Sequence, residues 1–131
     1  MSNIFKIWGT RRRILLTNQT EIDLLNLKKD HFCSTHSHDK KINVFTIVYG
    51  KVRIEAEFGN IVLCTHDSFT VEPSLTHRFY AMEDSVMVEC AYVKKGKIDP
   101  DDINRISLGG KVVDRKECTI DDLKKMGLLN L

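Results

Sequence analysis

The chain has 131 residues, 42% of them hydrophobic and 29% charged, with a formal net charge of +2. That length suits one domain spanning 1–131 with a real core, and the near-neutral charge lacks the basic stripe that nucleic-acid partners require. No stretch is apolar for long enough to span a bilayer, and Asn3, Lys6 and Trp8 interrupt any charged-then-apolar leader, so no membrane partner and a cytoplasmic location are expected.

Short strands at close spacing dominate the chain up to about residue 93. Arg11, Arg12 and Arg13 form one basic run, expected as a solvated strand end or turn rather than an anion site. Strands are expected at 13–17 and 21–27, with turns at Thr17-Asn18-Gln19 and Lys28-Lys29-Asp30. A strand over 32–38 carries polar residues in unusual places, and Asp39-Lys40-Lys41 breaks it. Residues 42–49 are β-branched and aromatic throughout, ending at Gly50, which permits a tight hairpin. Residues 51–58 alternate cleanly, with Val52, Ile54, Ala56 and Phe58 on one face. Gly59-Asn60 turns into 61–64, and 68–71, 76–81 and 86–93 complete the series. This spacing indicates an all-β barrel or sandwich with its core over about 12–93 rather than a βαβ fold.

The tail, about 97–131, changes character. Residues 100–106 read as a short helix or turn, and Gly109-Gly110 interrupts them. Residues 119–126 read as a capped helix: Thr119 caps, Asp121 and Asp122 suit the first turn, Lys124 and Lys125 the last, and Gly127 stops it. Cys33, Cys64, Cys90 and Cys118 form no C-x-x-C pair and read as reduced thiols.

Chemistry concentrates in the histidines. There are five: His31, His36, His38, His66 and His77. His36 and His38 stand two apart, so on a strand their imidazoles share a face and can reach one metal ion. His77, on a later strand just after Pro73, can supply a third nitrogen. Three neutral imidazoles suit one divalent ion (zinc, manganese, iron, nickel or copper), with the other positions open to water or substrate. His66 is expected in a turn at the rim and His31 at the surface.

The segment from His36-Ser37-His38 through Asn43 to Gly50 resembles the first cupin motif, H-x-H followed by Glu and then Gly. The segment from Asp67 through Pro73 to His77 is similar to the second. The resemblance implies a small antiparallel barrel, or jelly roll, with a short C-terminal helix. It implies metal ligation by His36, His38 and His77, and a pairing of barrels into a homodimer in which strands 13–17 and 21–27 add to a partner's sheet. Asn43 occupies the motif's glutamate position; it can offer an amide oxygen but no negative charge. Lys6-Ile7-Trp8-Gly9 and Asp101-Asp102-Ile103-Asn104-Arg105 resemble the opening and closing segments of mannose-6-phosphate isomerase and sugar-nucleotide cupins. Asp102 and Arg105 can equally be a local ion pair, and Trp8 a core anchor.

Three functions follow as expectations. The first is a metal-dependent isomerase of a sugar or sugar phosphate, with Glu89 as base and Tyr80 as hydrogen-bond donor. The second is a three-histidine dioxygenase. The third is a non-catalytic cupin that binds a small ligand.

Overall fold

Alternation of apolar and polar side chains sets the central strands. The structure, a computed structural model, describes residues 3–129. In chain order the strands are β1 (Ile4–Lys6), β2 (Gly9–Leu16), β3 (Thr20–Leu27), β4 (His31–Phe32), β5 (Thr35–Ser37), β6 (Ile42–Tyr49) and β7 (Lys51–Ala56). They continue as β8 (Gly59–Cys64), β9 (Ser68–Val71), β10 (His77–Ala81), β11 (Ser85–Tyr92), β12 (Asn104–Ser107), β13 (Gly110–Val113) and β14 (Lys116–Thr119), before the helix α1 (Ile120–Lys125).

Two antiparallel sheets face each other. One runs β1-β2-β3-β11-β6-β9. The other runs β12-β5-β10-β4-β13-β14, with β7 joining β10 to β8. Along β6, Phe45 and Ile47 turn inward with Asn43, while Val44 and Thr46 stay half-exposed. Val52 and Ile54 of β7 face them from the other sheet, and both are fully buried. Trp8 closes the core at one end, edge-on to Phe79 with ring centroids 5.1 Å apart. The core-anchor reading of Trp8 therefore holds. Among the described residues no helix is long and apolar enough to cross a membrane.

Gly50 makes the β6–β7 turn at φ +110°, a region L side chains avoid. A Cβ there would also lie 2.2 Å from Ser85 Oγ. The helix cap is as expected: Thr119 Oγ1 accepts from Asp122 N–H, and the Asp122 carboxylate accepts from Thr119 N–H.

Several expectations change. The strand expected over 32–38 is split into β4 and β5, and His38 lies just past its end. Residues 100–106 are not a helix; they turn and then enter β12, which pairs with β5. The hairpin β13–β14 supplies two strands that polar, weakly alternating residues did not announce, and β13 docks on β4. The tail thus covers its own barrel. Phe58 leaves the strand pattern, 57% exposed and stacked on Phe69. Strand β3 is interior, paired with β2 and β11 along its length, so it cannot extend a partner's sheet.

Replacing Gly50 with alanine forces a positive φ on an L residue, with a cost of order 1–3 kcal/mol before the clash with Ser85 is added. Urea unfolding of G50A should show at least that loss; unchanged stability would remove the steric argument.

Candidate metal centre

Three elements bring the histidines together. His36 sits on β5 and pairs directly across the ladder with His77 on β10. His38 follows β5 by one residue. Ligand-capable atoms of all three lie within 4.8 Å of one another, and all three residues are buried. Asn43 enters from β6 in the facing sheet and is 1% exposed.

The tautomers follow from the hydrogen bonds. His36 Nδ1 lies 2.8 Å from the Ser34 carbonyl, His77 Nδ1 2.8 Å from the Leu75 carbonyl, and His38 Nδ1 2.6 Å from the Asp102 carbonyl. A carbonyl only accepts, so each Nδ1 carries the proton and each Nε2 keeps its lone pair. Burial, with the charges His77 and His38 would carry, pushes His36 down to about 3. Burial likewise lowers His77 to about 4, and His38 below its ordinary value. All three are therefore neutral donors at pH 7.

Among the described residues two buried polar side-chain atoms have no partner, His77 Nε2 and Asn43 Oδ1. Each such atom costs about 1–3 kcal/mol when left unsatisfied. A divalent cation among the three imidazoles would engage His77 Nε2, so the donor set fits a metal ion, whereas Asn43 turns its amide nitrogen rather than its oxygen to His38 and would have to rotate to ligate. Asn43 Nδ2 stands 3.0 Å from His38 Nε2 and donates to Glu89 Oε2 at 3.1 Å.

Asp102 is the residue whose role the sequence did not reveal. Its carboxylate accepts from the N–H groups of Asp39, Lys40 and Lys41 at 2.7, 2.9 and 3.2 Å, while its carbonyl holds His38. Burial acts to raise this carboxyl, but the three N–H donors outweigh it and hold the group below its ordinary value. Among the described residues Asp102 forms no ion pair with Arg105. Asp102 fastens the tail to the loop that carries His38.

A cavity of about 480 Å³ opens beside His36 and His38. Glu89 lines it, on the inward face of β11 with Met87 and Ala91. Burial and then the Asp23 charge push its carboxyl up to about 7, against the pull of Lys41 and Arg11. Tyr80 stands elsewhere. Three residues beyond His77 on β10, it faces the opposite side, donates to Asp30 Oδ1 at 3.0 Å and lies under the Arg53 guanidinium. The donor expected from Tyr80 is therefore not in the cavity. His66 occupies an exposed turn at φ +73°, away from the histidine group, and His31 is half-buried with Nδ1 2.8 Å from the Lys29 carbonyl.

The cavity wall also corrects the reading of 11–13 as a solvated run. Arg11 and Arg13 point into the cavity. Arg13 reaches Asp23 at 2.6 Å and Glu21 at 3.1 Å, and the buried Lys41 ammonium reaches Glu21 at 2.7 Å. A signal for this was present. Glu21 and Asp23 share strand parity with Leu25 and Leu27, which places two acids on a core-facing side.

Comparisons with known proteins agree with this architecture. No family model matches the chain, and no curated protein matches it significantly. Among solved structures it is similar to KdgF from Halomonas sp., with a TM-score of 0.67 and 16% identity over 72% of this chain and 88% of that one. A structure of a Streptomyces PAC13 variant with uridine gives 0.69 and 9%, covering 82% and 85%. Oxalate decarboxylase from Bacillus subtilis gives 0.67 and 16% over 80% of this chain, which spans only 30% of that longer protein. These similarities establish the fold.

The metal-free protein should lose stability on mild acidification. The folded state disfavours protonating His36 and His77, so the unfolded chain binds more protons below its ordinary histidine value near 6.5. This contribution is intact above that value. It falls by roughly 1 kcal/mol per pH unit for each of the two as pH drops toward 5. Glu89, raised to about 7, gains stability over the same interval and opposes the effect, so denaturant unfolding of a Glu89→Gln variant at pH 7 and pH 5 with chelator present would read it; equal stability at both would contradict neutral, buried imidazoles.

Proposed function

The chain is a cupin by fold, and on that premise we propose that it is a metal-dependent enzyme acting on a small, oxygen-rich ligand of the carbohydrate class. His36, His38 and His77, with the Asn43 amide oxygen, would hold one divalent ion. Three imidazoles and an amide do not select among zinc, manganese, iron and nickel. When bound, the ion supplies Lewis-acid polarisation of ligand oxygens.

The observation that carries the reading is Glu89, a carboxyl in the same cavity, tied to the histidine group through Asn43 Nδ2. Its pKa of about 7 lets it hold or release a proton at working pH. Glu89 would take a proton from carbon beside a carbonyl and return it to the neighbouring carbon, as aldose–ketose interconversion requires. The ligating position next to it is the neutral Asn43, so carboxylate and ion remain separate functions. The four unpaired cysteines support a reducing, cytoplasmic compartment.

We also propose a homodimer built on the outer face of the first sheet. Cross-strand neighbours Ile22, Leu24, Val88, Cys90 and Val44 stand half-exposed there, beside Leu15 at 43%. Strand spacing and rise give this face roughly 400 Å², in the range that marks an interaction site. Its centre is uncharged, so two copies meet about a two-fold axis without repulsion.

Protein purified without chelator should carry near one equivalent of metal by elemental analysis, and a His36→Ala, His38→Ala double variant little. Metal in neither, even after soaking, would leave a ligand-binding barrel. Glu89→Gln should keep the metal and lose aldose–ketose turnover by roughly 10²–10⁴-fold; an unchanged rate would remove Glu89 as the base, and oxygen uptake in place of isomerisation would move the protein to the dioxygenases. Light scattering should give twice the chain mass of 15.1 kDa; a monomer would exclude the dimer.

A further inference from the structure

Three cations from distant parts of the chain line the same cavity: Lys6 on β1, Arg11 on β2 and Arg105 on β12. Lys6 and Arg11 are carried by one hairpin, and Arg105 pairs across the ladder with His36, beside the histidine group. The other cations of the wall are neutralised within it, as Arg13 and Lys41 share Glu21 and Asp23. These three are not. Among the described residues Lys6 and Arg105 form no ion pair, and Arg11 has only a 4.0 Å contact to Asp23, which Arg13 already holds at 2.6 Å.

Their charges act on one another. Lys6 is pulled below its ordinary value first by partial desolvation, then by the guanidinium charges of Arg11 and Arg105. Like charges collected at one mouth cost energy unless an anion joins them. Two guanidinium groups and an ammonium form the donor set that recognises a planar or tetrahedral oxyanion. Of the acids on the same wall, Glu21 and Asp23 are paired, Glu89 faces Asn43, and the exposed Asp101 forms no ion pair with any of the three cations among the described residues.

We propose that Lys6, Arg11 and Arg105 form an anion subsite, and that the ligand is a carbohydrate bearing a carboxylate or phosphate. That group sits among the three cations while the ligand's neutral oxygens face His36 and His38. The ligand class rests on the metal-site reading above; the subsite itself does not.

The chain's single tryptophan, Trp8, lines the cavity and reports binding by fluorescence. The first arm uses protein stripped of metal and titrated with inorganic phosphate. Wild type should bind, and a Lys6→Gln, Arg105→Gln double variant should bind about tenfold or more weakly. Both side chains belong to exposed residues, so the variant should fold, and circular dichroism confirms that it has. The second arm uses metal-loaded protein with glucose, glucuronate, and glucose phosphorylated on its terminal hydroxyl. One or both charged sugars should bind at least about tenfold more tightly than glucose, the preferred one naming the anion, and the double variant should erase the difference. Equal affinity for neutral and charged sugars, or charged-sugar and phosphate binding indifferent to the substitutions, overturns the subsite. Phosphate binding lost in the variant, in a protein that never takes up metal, leaves the subsite standing and sinks the metal reading instead.

Discussion

Everything at this site depends on three hydrogen bonds from imidazole N–H groups to backbone carbonyls. An imidazole can protonate either nitrogen, and only one choice leaves a lone pair facing inward. The carbonyls of Ser34, Leu75 and Asp102 make that choice for His36, His77 and His38. All three carbonyls lie in the connections just outside the strands, so ring orientation is inherited from the main chain that enters and leaves the barrel. Burial then keeps the rings neutral. Fold and donor set are in this sense one construction.

The constraint extends outward through Asp102 and Asn43. Asp102 binds the 39–41 loop with its carboxylate and His38 with its carbonyl, so one residue sets both loop and ring. Asn43 faces the other way. Its amide nitrogen lies between His38 and Glu89, coupling a neutral donor set to a carboxyl whose proton is loosely held. A glutamate at that position would have placed a negative charge beside Glu89 and pushed its carboxyl higher still.

Much of this was legible in the sequence, for identifiable reasons. Residues 42–49, β-branched and aromatic, and residues 68–71 form strands with the bounds expected of them. Spacing placed His36 and His38 together, and the second motif brought in His77. The histidine group could therefore be read before the fold was known. Tyr80 failed because strand parity from His77 already put it on the opposite face. The 104–119 strands were missed because their burial comes from docking on β4 and β5, which no local pattern encodes. Arg11 and Arg13 were misread because a run of like charges looks solvated until Glu21 and Asp23 are seen to face it.

The Asp102–His38 contact joins residues 64 apart in the chain. During synthesis the three histidines leave the ribosome well before the tail does. His38 lacks its orienting carbonyl until residue 102 has emerged and β12 has closed against β5. The complete, correctly turned set of imidazoles is thus a late product of folding, and a nascent chain stalled short of its tail presents His38 without the carbonyl that fixes its tautomer.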